Sequence, residues 1–314
     1  MNQLTYHWRA LFVCLFFWLA DSGQPVHAGA TEWMDIRIVN GMMLVETEVA
    51  GIPGFSVIDT GASLEGINGR FLEAEGLEYK KDRKLTVVGV YGKEKRSSYR
   101  EVEALVFGSP VKFTRLVDVN LGPPEYQLLL GSNFLKSYIF QFDYTNARMR
   151  LITRDSVNLK EIRNIESKLD NADSSLLVRV NLDEKNKAWL QMDTGSNGGI
   201  LIDRPLASRL GWIDAYPKVE GVSSGVVTSG AMEHFRVPLI TVGPYELENV
   251  RVSIPAAGVD PELFETTTEI GTRIASRQAS AGLLGYEILQ HFVVTVDYHR
   301  GHVHFYPGQK ISDE

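Results

Sequence analysis

Two carboxylic side chains stand in the same tripeptide, Asp59 in "VIDTGAS" (57–63) and Asp193 in "LQMDTGS" (190–196). Each follows an apolar run. A positioned carboxyl group can take a proton from a water or give one to a carbonyl oxygen. Two carboxyls held close together cannot both ionise cheaply, so a pair divides into one anion and one neutral acid. Either Asp alone reads equally well as a residue capping a turn at a strand end. What separates the two readings is whether the surroundings repeat along with the tripeptide.

They do. "MLVETEVAGIPGFSVIDTG" and "SLLVRVNLDEKNKAWLQMDTG" each show an alternating run, a turn and a second apolar run that delivers the Asp, the pattern of a β-hairpin. Downstream, Gly89 in "VVGVYG" answers to Gly221 in "VEGVSSG", and "ALVFGSP" answers to "PLITVGP". "YQLLLGSNFLKSYIFQFDY" (126–144) then matches "SAGLLGYEILQHFVVTVDY" (280–298), with Gly131 and Gly285 at the same spacing from Asp143 and Asp297. Both stretches end in a hairpin turn and a last strand, "NARMRLI" and "RGHVHFY".

The segments are short, alternating and rich in Val, Ile, Phe and Tyr, so the fold class is mainly β. One short helix is expected in each half, at "SNFLKSY" and "YEILQHF". The halves run over 29–153 and 174–314, joined by a charged linker, 154–173, with a helical turn. Residues 258–280 are an insertion in the second half alone, and such long excursions are usually functional or mobile.

The chain has 314 residues, a formal net charge of −7 and 1 cysteine. No global positive field favours nucleic acid or anionic lipid. Residues 1–28 have the order of a secretory signal: a polar start with Arg9, the apolar run "ALFVCLFFWLA" (10–20), and small residues before a cut after Ala28. Asp21 ends the run short of a membrane span, so a retained N-terminal anchor is the lesser alternative. A lipoprotein reading of Cys14 fails because Val13 is too bulky and the cysteine lies mid-run. Removing the signal removes Cys14, which excludes disulfides, thiol nucleophiles and thiolate metal sites. The expected location is periplasmic or secreted. Few residues separate Ala28 from the first strand near Met34, so no large inhibitory prosegment is expected there.

Asp-Thr-Gly at a strand end, a turn-rich hairpin, then apolar-apolar-Gly and a short helix resembles the plan of the aspartic peptidases. The chain is similar to bacterial retropepsin-like members with two such units fused, and the resemblance covers nearly all of it beyond the signal. It implies two acid-protease β-barrel lobes with an active cleft between them. It implies Asp59 and Asp193 as the catalytic dyad, sharing one proton around an attacking water. By the same resemblance, Thr60 and Thr194 cross-bond the two loops, and Gly61 and Gly195 allow their close approach. Leu129-Leu130-Gly131 and Leu283-Leu284-Gly285 would pack beneath the loops. Ser196 has a hydroxyl where the first half has Ala62, which leads us to expect Asp193 as the ionised partner.

Residues 86–99 form a candidate flap with Tyr91 as its aromatic tip. Its counterpart, 221–232, is rich in Gly and Ser, and the sequence leaves open whether one or both close. His299, His302 and His304 could suggest a metal. Their matches in the first half are Thr145, Arg148 and Arg150, so a solvated strand face is the better reading and no metal is expected. Asp143 and Asp297 are expected to cap turns. The basic clusters "YKKDRK" and "GKEKRSSYR" read as solvated loops.

Together these point to an exported, single-chain, monomeric aspartic endopeptidase acting on peptides or envelope proteins, without cofactor or nucleic-acid partner. The alternatives are a catalytically silent peptide-binding protein of the same fold, or a structural envelope protein.

Overall fold

The strand pairs that carry the two Asp residues set the architecture. In the computed structural model, which describes residues 29–170, 175–225, 227–259, 261 and 280–311, the chain is mainly β with short helices. Met42–Val49 pairs antiparallel with Ile52–Ile58, and Leu176–Asn181 pairs antiparallel with Lys187–Met192. The first hairpin turns on Ala50 and Gly51, both at positive φ (55° and 78°), the two-residue geometry that matches strand twist. The second turns on Asp183, whose carboxylate accepts from the backbone N–H of Lys185 at 2.8 Å and Asn186 at 2.6 Å. One hairpin plan is thus closed by two different turn chemistries.

Each Asp-delivering strand then pairs in parallel with the apolar strand that precedes the short helix. Ile52–Ile58 pairs with Tyr126–Leu130, and Lys187–Met192 with Gly282–Leu284. Those partners pair antiparallel with Gly66–Asn68 and Ile200–Ile202, which pair in parallel with Leu116–Val119 and Tyr245–Pro255. The strand path is the same in both halves. Leu128, Leu130 and Leu284 are fully buried along it, as a sheet packed on its core face requires.

The halves differ in continuity. Ser229–Val242 and Tyr245–Pro255 run unbroken in the second half. The first half uses Ser98–Tyr99 with Val102–Val106, and Ser109–Phe113 with Leu116–Val119. Glu101, at φ 57°, interrupts the first of these pairs.

The expected helices form at Ser132–Leu135 and Tyr286–Leu289. Two matching helices escaped the sequence reading, Gly69–Ala74 and Arg204–Arg209. Their signals are the caps: Asn68 Oδ1 accepts from Arg70 N–H and Asp203 Oδ1 from Leu206 N–H, as N-caps do.

The boundary between the halves is less clean than the sequence suggested. Ile139–Asp143 pairs antiparallel with Phe292–Asp297, so one sheet takes strands from both. The stretch expected as a linker, 154–173, contains the helical turn Leu159–Ile162 and also a strand, Ser167–Leu169, which joins the edge of the second half's sheet. Its alternation is short and charged, which hid it. The signal, 1–28, and nearly all of the insertion, 258–280, lie outside the described residues. Among the described residues, no helix is long and apolar enough to cross a membrane.

Candidate active site

Asp59 and Asp193 follow directly on strands Ile52–Ile58 and Lys187–Met192. The floor strands hold both. Asp59 N–H donates to the Leu130 carbonyl at 3.1 Å, and Asp193 N–H to the Leu284 carbonyl at 2.9 Å. Gly131 and Gly285 lie so close beneath the loops that a Cβ would stand 2.5 Å from the Leu64 carbonyl oxygen or 2.6 Å from that of Gly198. These glycines are therefore fixed by close approach.

The two loops are tied to each other by a reciprocal set of bonds. Thr60 N–H donates to Thr194 Oγ1 at 3.0 Å, and the Thr194 hydroxyl donates to the Ile58 carbonyl at 2.9 Å. In mirror fashion, Thr194 N–H donates to Thr60 Oγ1 at 3.0 Å, and the Thr60 hydroxyl donates to the Met192 carbonyl at 2.7 Å. Both Thr are buried, where an unmade bond is costly, so this cross-tie fixes the relative position of the loops.

The glycines then bring backbone against carboxyl. A Cβ on Gly61 would stand 2.5 Å from Asp193 Oδ1, and one on Gly195 would stand 2.8 Å from Asp59 Cγ. Each Asp therefore faces the other loop, and the two half-buried carboxyls share a hydrogen bond. Burial raises both pKa values. Asp193 is pushed well above the usual carboxylate range, by burial first and then by the Asp59 charge. Asp59 is raised less. Burial is opposed there by the N–H of Gly61 at 2.7 Å, by the bond from Asp193 and by the N–H of Ala62 at 3.1 Å.

This reverses one expectation. From the sequence, the Ser196 hydroxyl is expected to favour an ionised Asp193. That hydroxyl instead lies 2.9 Å from where a Cβ of Gly285 would stand, and Asp193 is served by backbone N–H groups, Gly195 at 2.8 Å among them. The two shifts thus run opposite to the direction expected from Ser196, with Asp193 raised further than Asp59.

Tyr91 lies at the tip of the hairpin Leu85–Gly89 and Gly92–Arg96. Its ring seats where a Cβ on Gly230 would overlap it, and its hydroxyl is buried beside Ser223. A Cβ on Gly92 would stand 3.4 Å from Thr228 Cγ2. Thus the two flap-like hairpins, whose roles the sequence left open, meet at their tips.

Two residues in the site escaped the sequence reading. The buried Tyr298 hydroxyl donates to the Thr60 carbonyl at 2.8 Å, and Gln191 Nε2 donates to the Gly61 carbonyl at 3.0 Å. The signal for Tyr298 was present, since Tyr144 follows Asp143 as Tyr298 follows Asp297. Gln191 gave a weaker one, a polar residue where the first half has Val57.

The remaining candidates lie elsewhere in the structure. Asp143 and Asp297 cap turns, accepting from the N–H of Asn146 and from those of His299 and Arg300, each at 3.2 Å. His304 Nδ1–H donates to the Ile162 carbonyl at 2.7 Å. Among the described residues, no three His, Cys, Asp or Glu side chains group as ligands for a metal.

No protein-family model matches the chain, and no curated protein matches its sequence.

Proposed function

We propose that the protein is an exported, single-chain aspartic endopeptidase, in which two fused acid-protease lobes hold a peptide in the cleft between them. One observation carries the reading: two Asp-Thr-Gly loops, from equivalent places in a repeated strand plan, present their carboxyls to each other across a reciprocal Thr cross-tie. A turn-capping Asp needs no such partner.

In this reading the Asp59 carboxylate takes a proton from a water as the water's oxygen attacks the scissile carbonyl carbon. The acid of Asp193 gives its proton to the carbonyl oxygen, so the tetrahedral intermediate forms without net charge on it. Collapse breaks the C–N bond as Asp59 gives the proton it took to the leaving nitrogen and Asp193 recovers a proton from a hydroxyl of the diol, which restores the starting pair. The apolar floor around Leu130 and Leu284 favours a shared proton over two charges. The two hairpins would close over the bound peptide. The signal-like order of residues 1–28 supports an export reading, with periplasmic or envelope proteins as the substrates.

The test is cleavage of a peptide library by the wild type and by Asp59→Asn and Asp193→Asn. Each substitution is expected to lower turnover by about 10³-fold or more. A wild type that binds peptides and cleaves none at any pH would favour the silent peptide-binding alternative.

A further inference from the structure

The two loops match in backbone and differ in what stands behind them. The Asp59 carboxylate accepts from the N–H groups of Gly61 and Ala62. Those N–H groups belong to the same peptide units as the Thr60 and Gly61 carbonyls. Both carbonyls accept from the second half, Thr60 from the Tyr298 hydroxyl at 2.8 Å and Gly61 from Gln191 Nε2 at 3.0 Å. A bond accepted at a carbonyl polarises its peptide unit and strengthens the N–H on the other side.

The Asp193 side has the equivalent positions without the equivalent bonds. Tyr144 matches Tyr298, yet its buried hydroxyl has no partner among the described residues. Val57 matches Gln191 and has nothing to donate. Of the bonds to Asp193, that of Gly195 N–H runs through the Thr194–Gly195 peptide. The titratable groups around the pair are Tyr298 on the Asp59 side and Tyr144 and Tyr286 on the Asp193 side.

We infer that Tyr298 and Gln191 are positioning residues that assign the base role to Asp59, acting through the Thr60–Gly61 and Gly61–Ala62 peptide units. The inference rests on reading Asp59 and Asp193 as a working pair. It predicts that the anion stays on Asp59 because its N–H donors are polarised from behind, and that the proton falls to Asp193 for want of the same support.

The experiment is a carbon-13 NMR titration of the full chain carrying aspartate labelled at Cγ, with the two resonances assigned from Asp59→Asn and Asp193→Asn. Tyr298→Phe and Gln191→Met should each raise the midpoint of the Asp59 carboxyl, and together by about half a pH unit. Tyr144→Phe should leave it in place. The acid limb of the pH–rate profile should move with the Asp59 midpoint. An unmoved midpoint in Gln191→Met and Tyr298→Phe, or an equal shift in Tyr144→Phe, overturns the inference. If Tyr298→Phe does not fold, Gln191→Met alone decides. The titration needs no turnover, so hydrolysis retained in Asp59→Asn would sink the peptidase reading and leave the carboxyl measurement to speak for itself.

Discussion

The Asp59 loop and the Asp193 loop are built alike and supported differently. Each is bonded to a floor strand through its Asp N–H, each lends a Thr to the cross-tie, and each lays a glycine against the other's carboxyl. Behind Asp59 stand Tyr298 and Gln191; behind Asp193 stand a phenol with no partner among the described residues and a valine. The shared part explains how two carboxyls meet. The unshared part is what, on our inference, lets two like groups differ in charge, which a strictly symmetric site could not favour.

The shared part can be broken first. Gly61→Ala and Gly195→Ala each force a methyl into the opposite carboxyl, and a displacement of about 1 Å should cost about 100-fold or more in turnover. Peptide cleavage rates would show it, and the two losses should be similar. A much milder loss at one position would mean that its carboxyl is not held where the glycine places it.

Thr60→Val and Thr194→Val come next. Each removes a hydroxyl that accepts one buried bond and donates another, at about 1–3 kcal/mol per group left unpaired. Urea unfolding should show losses of about 2–4 kcal/mol, equal between the two, with Thr→Ser restoring most of it. Clearly unequal losses would say that the tie is not reciprocal.

The pH dependence sharpens the contrast. Both Asp have folded pKa values above the ordinary 3.8, Asp193 by more. A carboxyl raised on folding contributes stability that is fully present below its unfolded pKa and is lost as pH rises through the folded value. The pair should therefore weaken the fold progressively above about pH 4. Asp193→Asn, which removes the more strongly raised group, should flatten that decline and raise Tm at neutral pH more than Asp59→Asn does. Equal gains would remove the asymmetry.

The hairpins offer the smallest expected effect. Gly230→Val displaces the Tyr91 ring from its seat and should alter KM a few-fold while leaving kcat nearly unchanged, the pattern of lost ground-state binding. Tyr91→Ala should act in the same direction. A change confined to kcat would argue against contact between the hairpins and the substrate.

Much of this was legible in the residues. The tripeptides, the apolar-Gly floors and the spacing to Asp143 and Asp297 marked the repeat, because hairpin and turn chemistry is local. The Thr and Gly roles came only with the resemblance, since their partners lie more than a hundred residues away. Ser196 misled because a hydroxyl next to an Asp says nothing of where it points; here it faces Gly285. Strand Ser167–Leu169 was hidden by a charged surround, and helices Gly69–Ala74 and Arg204–Arg209 by their brevity. Gln191 sits among apolar neighbours on its strand, and only the fold reveals that it reaches the Gly61 carbonyl.

The claim beneath all of this is that two carboxyls work as one unit. Turnover of a cleaved peptide by Asp59→Asn, Asp193→Asn and the double variant measures it directly. Two groups acting together predict that the double variant is no worse than either single one, each already near the uncatalysed rate. Losses that multiply, or hydrolysis surviving in either single variant, would contradict it.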